Sequence, residues 1–172
     1  MSLTQRIVVS SLSLSAAAFI SLAGYEAYTG EAIIPTKGDV PTVGLGSTSY
    51  EDGSRVKMGD KITPVRAIRL AGAHIAKEEK IFRDSIPNVP LHQAEYDIYM
   101  DFIYQYGTGT WNKSSMRANL LAGRYAAACD SLLRYRFSAG YDCSTPGNKR
   151  CAGVWTRQQE RHAACMLVQE GM

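Results

Sequence analysis

The chain has no internal repeat, and its composition is that of neither a disordered nor a collagen-like chain, so solenoid, fibrous and unstructured classes are excluded. It lacks the Lys/Arg stripe by which a nucleic-acid binder attracts phosphates. A net charge of +3 and a pI near 8.7 give only mild attraction to anionic polymers, and no nucleic-acid partner is expected. No cysteine precedes Cys129, and Cys129, Cys143, Cys151 and Cys165 have neither the doubled CxxC nor the Cys/His spacing of a zinc site. No metal and no other cofactor is expected. The nucleophile motif G-x-S-x-G is absent. Charge is absent over the whole run from Ile7 to Tyr25. What is present is 172 residues and 18.8 kDa, 45% of them hydrophobic and 20% charged, which is enough for one domain with a hydrophobic core.

The uncharged run after Arg6 reads as an export segment. At about 1.5 Å per residue, a helix over Ile7–Gly24 reaches about 27 Å, close to the ~30 Å hydrocarbon core of a bilayer. Ser, Ala and Gly outnumber the larger apolar residues over this run, so its hold on lipid is weak. Three readings stand: a cleaved secretory signal, a permanent anchor, and an uncleaved segment that inserts and later leaves the membrane. The third is preferred, because cutting behind Gly24 leaves Glu26 on a two-residue stub. The chain thus divides into residues 1–24, an apolar helix and export segment, and residues 25–172, the folded part. Export to an oxidising compartment favours two disulfides over free thiols.

From Tyr25 to Lys61, Gly, Pro and β-branched residues with short apolar pieces predict a small β-hairpin or three-stranded lobe. Thr63-Pro64 reads as an N-cap followed by proline in the first helical position, which opens a helix through Arg83. Pro87 and Pro90 end that segment. Leu91–Tyr106 carries the apolar stripe Tyr96, Tyr99, Met100, Phe102, Ile103 and Tyr106 of a core helix, broken at Gly107-Thr108-Gly109. Further helices are predicted over Ser114–Leu121, Tyr125–Tyr135 and Trp155–Val168, with a loop over Ser138–Gly153. The fold class is α+β, a small β lobe ahead of a helical bundle.

Several pieces, in order, resemble the phage-type lysozymes of glycoside hydrolase family 24. They are Glu26, then Asp39, then Thr42 within Pro41-Thr42-Val43-Gly44-Leu45-Gly46; Asp101 to Gly109 followed by Ser114-Ser115-Met116; Ala122 to Asp130; and Gly153 to Arg161. The resemblance implies a lysozyme-like fold and an endolysin that cleaves the β-1,4 bond between N-acetylmuramic acid and N-acetylglucosamine. It implies Glu26 as general acid, Asp39 as the second carboxylate and Thr42 as the hydroxyl that holds the attacking water. The spacing departs from the family: twelve residues separate Glu26 from Asp39 and only two separate Asp39 from Thr42. Glu31 is the alternative acid, although it follows Gly30 and enters a strand. The family's histidine after the glycine strand is replaced by Ser47-Thr48.

Two carboxyls in different settings suit this chemistry, which needs a proton for a poor leaving group and help for an oxocarbenium-like centre. Glu26 at a helix end is otherwise an exposed glutamate, and Asp39 a turn-former after Gly38. Tyr28, Lys113 and Arg117 are candidate substrate contacts. Trp111 and Trp155 are read as core in preference to sugar platforms, and His74, His92 and His162 as solvated or capping. Cys129 and Cys165, in two C-lobe helices, are expected to pair, as are Cys143 and Cys151 around Pro146-Gly147-Asn148; free thiols are the alternative. The expected partners are peptidoglycan strands and, through residues 7–24, the inner membrane, with the protein acting as a monomer in the periplasm. A lytic transglycosylase on the same bond, and a non-catalytic membrane-tethered peptidoglycan-binding protein, are the competing functions.

Overall fold

The computed structural model describes residues 5–25, 28–36 and 38–171. Two compact units divide the chain, one made of Leu14–Lys80 and the other of Met1–Ser13 with Ile81–Met172.

The Leu14–Lys80 unit opens with helix α1 (Ala16–Tyr25), which starts where the Ser15 hydroxyl accepts the Ala18 amide at 3.1 Å. An antiparallel hairpin follows, β2 (Thr29–Ile33) and β3 (Thr42–Gly44), with Ile33 opposite Thr42 and Thr29 opposite Gly44. The loop beyond it closes through isolated bridges Glu31–Lys61, Val43–Ser47 and Ser49–Arg55. Helix α2 (Pro64–Ser85) begins as its sequence predicts, with the Thr63 hydroxyl accepting the Arg66 amide at 3.3 Å and proline in the first position. Ala32, Val43, Leu45, Val56, Ile62, Ala67, Leu70 and Ala71 form this unit's core, and Phe19 and Ala23 of α1 pack against it.

The other unit contains β1 (Ile7–Val8) paired with β4 (Pro90–Leu91), followed by α3 (Gln93–Asn112), α4 (Ser115–Leu121), α5 (Tyr125–Ser131), the short hairpin β5–β6 (Phe137–Ser138, Tyr141–Asp142) and α6 (Ala152–Glu170). His92 caps α3 in a reciprocal capping box with Glu95. The aromatic stripe is core: Tyr96, Tyr99, Phe102 and Trp111 are fully buried, and the Trp111 indole donates to the Ser85 hydroxyl at 2.8 Å. Gly107, at φ 79°, kinks α3 where the glycine turn was expected, and helical turns resume to Asn112. The expected loop Ser138–Gly153 carries the hairpin β5–β6 at its start, turning at Ala139 (φ 48°) and Gly140 (φ 82°). Disulfides join Cys129 to Cys165, tying α5 to α6, and Cys143 to Cys151, closing the loop.

The single apolar helix expected over Ile7–Gly24 is not formed. Ile7–Val8 is a strand, Val9–Ser11 a 3-10 turn, and only the stretch from Ala16 is α-helical. The reason lies in the partners available. Val9 donates its amide to the Val89 carbonyl at 3.1 Å and Leu14 donates to the Glu79 carboxylate at 2.7 Å, so backbone groups that a helix would satisfy internally are satisfied elsewhere. The serines around the break have low helix propensity and add nothing to hold it. Among the described residues, no helix is long and apolar enough to cross a membrane.

Candidate active site

The hairpin β2–β3 positions most of the residues that resemble catalytic groups. Thr42 opens β3 half-buried, its hydroxyl donating to the Ile33 carbonyl across the pair at 3.5 Å. Gly44 sits at φ 69°, and a Cβ there would lie 2.8 Å from the Ala67 Cβ of α2. The T-x-G pattern therefore has a structural cause: glycine lets the strand carrying Thr42 lie against a helix, in a conformation other residues disfavour. Asp39 stands in the exposed connection between the strands, where its amide closes a turn on the Thr36 carbonyl at 2.9 Å. Glu26 lies outside the described residues; in the sequence it directly follows Tyr25, the last residue of α1.

Glu31, the alternative acid, is on β2 with its side chain 59% exposed and Lys61 Nζ at 3.5 Å. That is a solvated ion pair, without the burial a general acid needs. Tyr28 donates its hydroxyl to the Ile62 carbonyl at 2.7 Å and leaves much of its ring open to solvent. Lys113 is exposed at the C-cap of α3. Arg117 is half-buried, with Nε on the Ser85 carbonyl at 3.1 Å, so its guanidinium closes the C-terminal end of α2. His92 caps a helix, His162 faces Asp130 at 3.0 Å and His74 faces Glu78 at 3.6 Å.

Two arrangements escaped the sequence reading of single roles. Arg157 and Arg161, one turn apart on α6, both donate to the Asp101 carboxylate of α3, Arg161 through Nε at 2.5 Å and through Nη2 to the Asp101 carbonyl at 3.0 Å. Next to them the Gln158 amide donates to the Tyr106 hydroxyl at 2.8 Å, which donates to the Tyr135 carbonyl at 3.2 Å. Burial pulls the Arg161 guanidinium below its ordinary value, and Asp101 opposes the shift. The i, i+4 arginines were visible in the sequence, but their shared acid was not.

The second is Glu78 on α2, whose Oε2 is buried with no hydrogen-bond partner among the described residues. Burial pushes its carboxyl up from 4.5 to about 7. The folded chain thus keeps a proton there that the unfolded chain releases, so this group favours folding at acid pH and the contribution is lost as pH rises through about 7. Glu78→Gln is expected to flatten that part of the stability profile, read by denaturant unfolding at about pH 5 and about pH 8. An unchanged slope would assign it to another group.

A family model for phage lysozymes matches residues 23–161, most of the chain, and the protein belongs to the phage lysozyme family. The endolysin of Salmonella phage P22 is 31% identical over 103 residues, which cover 60% of this chain and 69% of that one. Among solved structures, the endolysin from Escherichia coli O157:H7 phage FAHEc1 has a TM-score of 0.74 at 22% identity, over 91% of this chain and 94% of the other. A P22 lysozyme variant has a TM-score of 0.71 at 24% identity, over 90% and 99%. At these identities the structural likeness is one of fold, and the α+β lysozyme-like fold expected from the sequence is the fold observed.

Proposed function

We infer that this protein is a muramidase of the endolysin type, which hydrolyses peptidoglycan and so lyses the cell. The bond is the β-1,4 linkage between N-acetylmuramic acid and N-acetylglucosamine. The observation that carries this is the family match over residues 23–161, joined to a hairpin whose glycine packing fixes Thr42 on a strand beyond Glu26. In the proposed reaction Glu26 gives its proton to the glycosidic oxygen as the bond to C1 breaks, and Asp39 supports the developing positive charge from the opposite carboxylate role. With its own proton committed to the Ile33 carbonyl, Thr42 offers its oxygen lone pairs to an incoming water. Water adds to C1 and its proton passes to Asp39; Asp39 then releases that proton to solvent as Glu26 takes one up, which restores both carboxyls. Reducing-end analysis of digested sacculi tests the assignment: free muramic acid ends are expected, whereas 1,6-anhydro ends would make the enzyme a transglycosylase. Sacculus binding without any new ends would leave a non-catalytic binding protein.

For the N-terminus, the proposal is an uncleaved segment over residues 7–24 that enters the inner membrane during export and leaves it, delivering the enzyme to the periplasm. Support for an uncleaved segment comes from its burial. Val9 is 0% exposed and Leu12 6% in one unit, and Leu22 is 3% exposed in the other. Removing the segment would strip apolar surface from both units, at roughly 1.5–3 kcal/mol for each large side chain. While these residues are in lipid, the Leu14–Lys80 unit lacks the helix that leads into Glu26, so the membrane-held form is inactive.

A further inference from the structure

Arg6 is the last charged residue before the uncharged run, and its guanidinium is held from three sides. Nε donates to Glu95 Oε2 at 2.9 Å and Nη2 to Glu95 Oε1 at 2.8 Å, a two-pronged contact with a carboxylate that is 0% exposed. Nη2 also donates to Gln169 Oε1 at 2.7 Å, and the guanidinium carbon lies 3.6 Å from the centre of the Tyr125 ring. The Gln169 amide donates to Glu95 Oε1 at 2.7 Å, fixing the acceptor. Burial acts to raise the Glu95 carboxyl, and the hydrogen bonds from Arg6, the His92 amide and Gln169 outweigh it and hold the group below the ordinary carboxylate range. Behind Arg6 the chain continues as the two-residue strand Ile7–Val8 and the 3-10 turn Val9–Ser11. Val8 lies opposite Pro90, the Leu12 carbonyl accepts Arg83 Nη1 at 3.2 Å, and the Ser13 carbonyl accepts Gln93 Nε2 at 2.9 Å.

Every group on the receiving side of these contacts comes from beyond residue 80, and every group received from before residue 14. We propose that Glu95, Gln169 and Tyr125, with the edge of β4, form a binding site for an arginine-led segment, filled by the chain's own residues 6–13 after release and empty before it. The inference rests on the membrane reading of residues 7–24. If these residues span the bilayer, Arg6 is on the cytoplasmic side, as a positive residue flanking a first span prefers, and Glu95 is on the other side with the rest of the chain. The site is then vacant by topology, leaving a buried carboxylate without its cation, an arrangement strongly disfavoured. Filling the site removes that imbalance. It draws the weakly anchored segment out of lipid, and docking rather than cleavage makes release one-way.

The test uses the full chain expressed and exported in a Gram-negative bacterium, following the membrane-bound and soluble fractions after a pulse of synthesis. Glu95→Gln lies outside the membrane segment and keeps an acceptor for the His92 amide, so it alters the site without altering the segment. It is expected to slow transfer to the soluble fraction by on the order of 10- to 100-fold, the range that charge-assisted hydrogen bonds carry. Arg6→Lys keeps the charge before the span but loses the fork, and is expected to slow release by less. Because the ammonium of that second variant still compensates Glu95, its arm of the test stands even if Glu95→Gln fails to fold. Release of both variants at the wild-type rate would overturn the docking site and leave the membrane reading intact. Absence of a membrane-bound wild-type pool would overturn both.

Discussion

Glu26→Gln is expected to lower the clearing rate of purified sacculi by on the order of 10²- to 10⁴-fold, the contribution of a positioned general acid. Glutamine has almost the same shape and cannot give up a proton, so the loss measures proton transfer rather than packing. Glu31→Gln is expected to clear at close to the wild-type rate, because Glu31 is a solvated strand residue beside Lys61. Asp39→Asn is expected to fall between the two. Its carboxylate stands in an exposed turn only two residues before Thr42, displaced from the spacing of the family it belongs to. A loss on Glu31→Gln with Glu26→Gln active would move the acid onto β2 and overturn the role given to α1. Circular dichroism of each variant separates a chemical loss from unfolding.

The second large effect concerns the disulfides, which close loops of very different length. The Cys129–Cys165 bond spans 36 positions and ties α5 to α6, whereas Cys143–Cys151 spans 8 within a surface loop. The chain-entropy relation gives about 4 kcal/mol for the first and about 2.5 kcal/mol for the second. Replacing Cys129 and Cys165 together by Ala is therefore expected to lower unfolding free energy by about 4 kcal/mol, a large part of the 5–15 kcal/mol typical of a domain. Replacing Cys143 and Cys151 is expected to cost less and to leave the helical lobe intact. Denaturant titrations of the two double variants read the difference directly. Equal losses would mean that the disulfides act through local packing and not through the unfolded chain.

These two effects differ in how far they were legible beforehand. The cysteine pairs were readable once two helices and an intervening loop were in place, because proximity followed from the order of elements. The start of α2 was readable from Thr63-Pro64, the kink in α3 from Gly107, and the core from the aromatic stripe Tyr96 to Tyr106. Each is a signal confined to a few neighbouring residues: a cap, a backbone torsion, a helical period. The order Glu26, Asp39, Thr42 carries the resemblance to the family and the roles proposed for these residues, and the structure adds the packing of Gly44 against Ala67 that keeps Thr42 on its strand.

Arg117 and the N-terminal run show the other side. A charge beside a glycine turn reads as a substrate contact, and nothing in that local pattern announces that the Arg117 Nε is held by the Ser85 carbonyl, 32 residues away. The uncharged run Ile7–Gly24 reads as one apolar helix because nothing within it marks a break strongly enough to divide it. Its division follows from Glu95, Val89 and Glu79, whose groups meet Arg6, Val9 and Leu14 only after the chain has folded. Helix starts, the hairpin, the core stripe and the family were determined by the sequence itself, since caps, turns and periodicity act over a few residues. Where the apolar segment rests and what each arginine holds were decided by tertiary structure, since a hydrogen bond or ion pair depends on distance in space and not on separation along the chain.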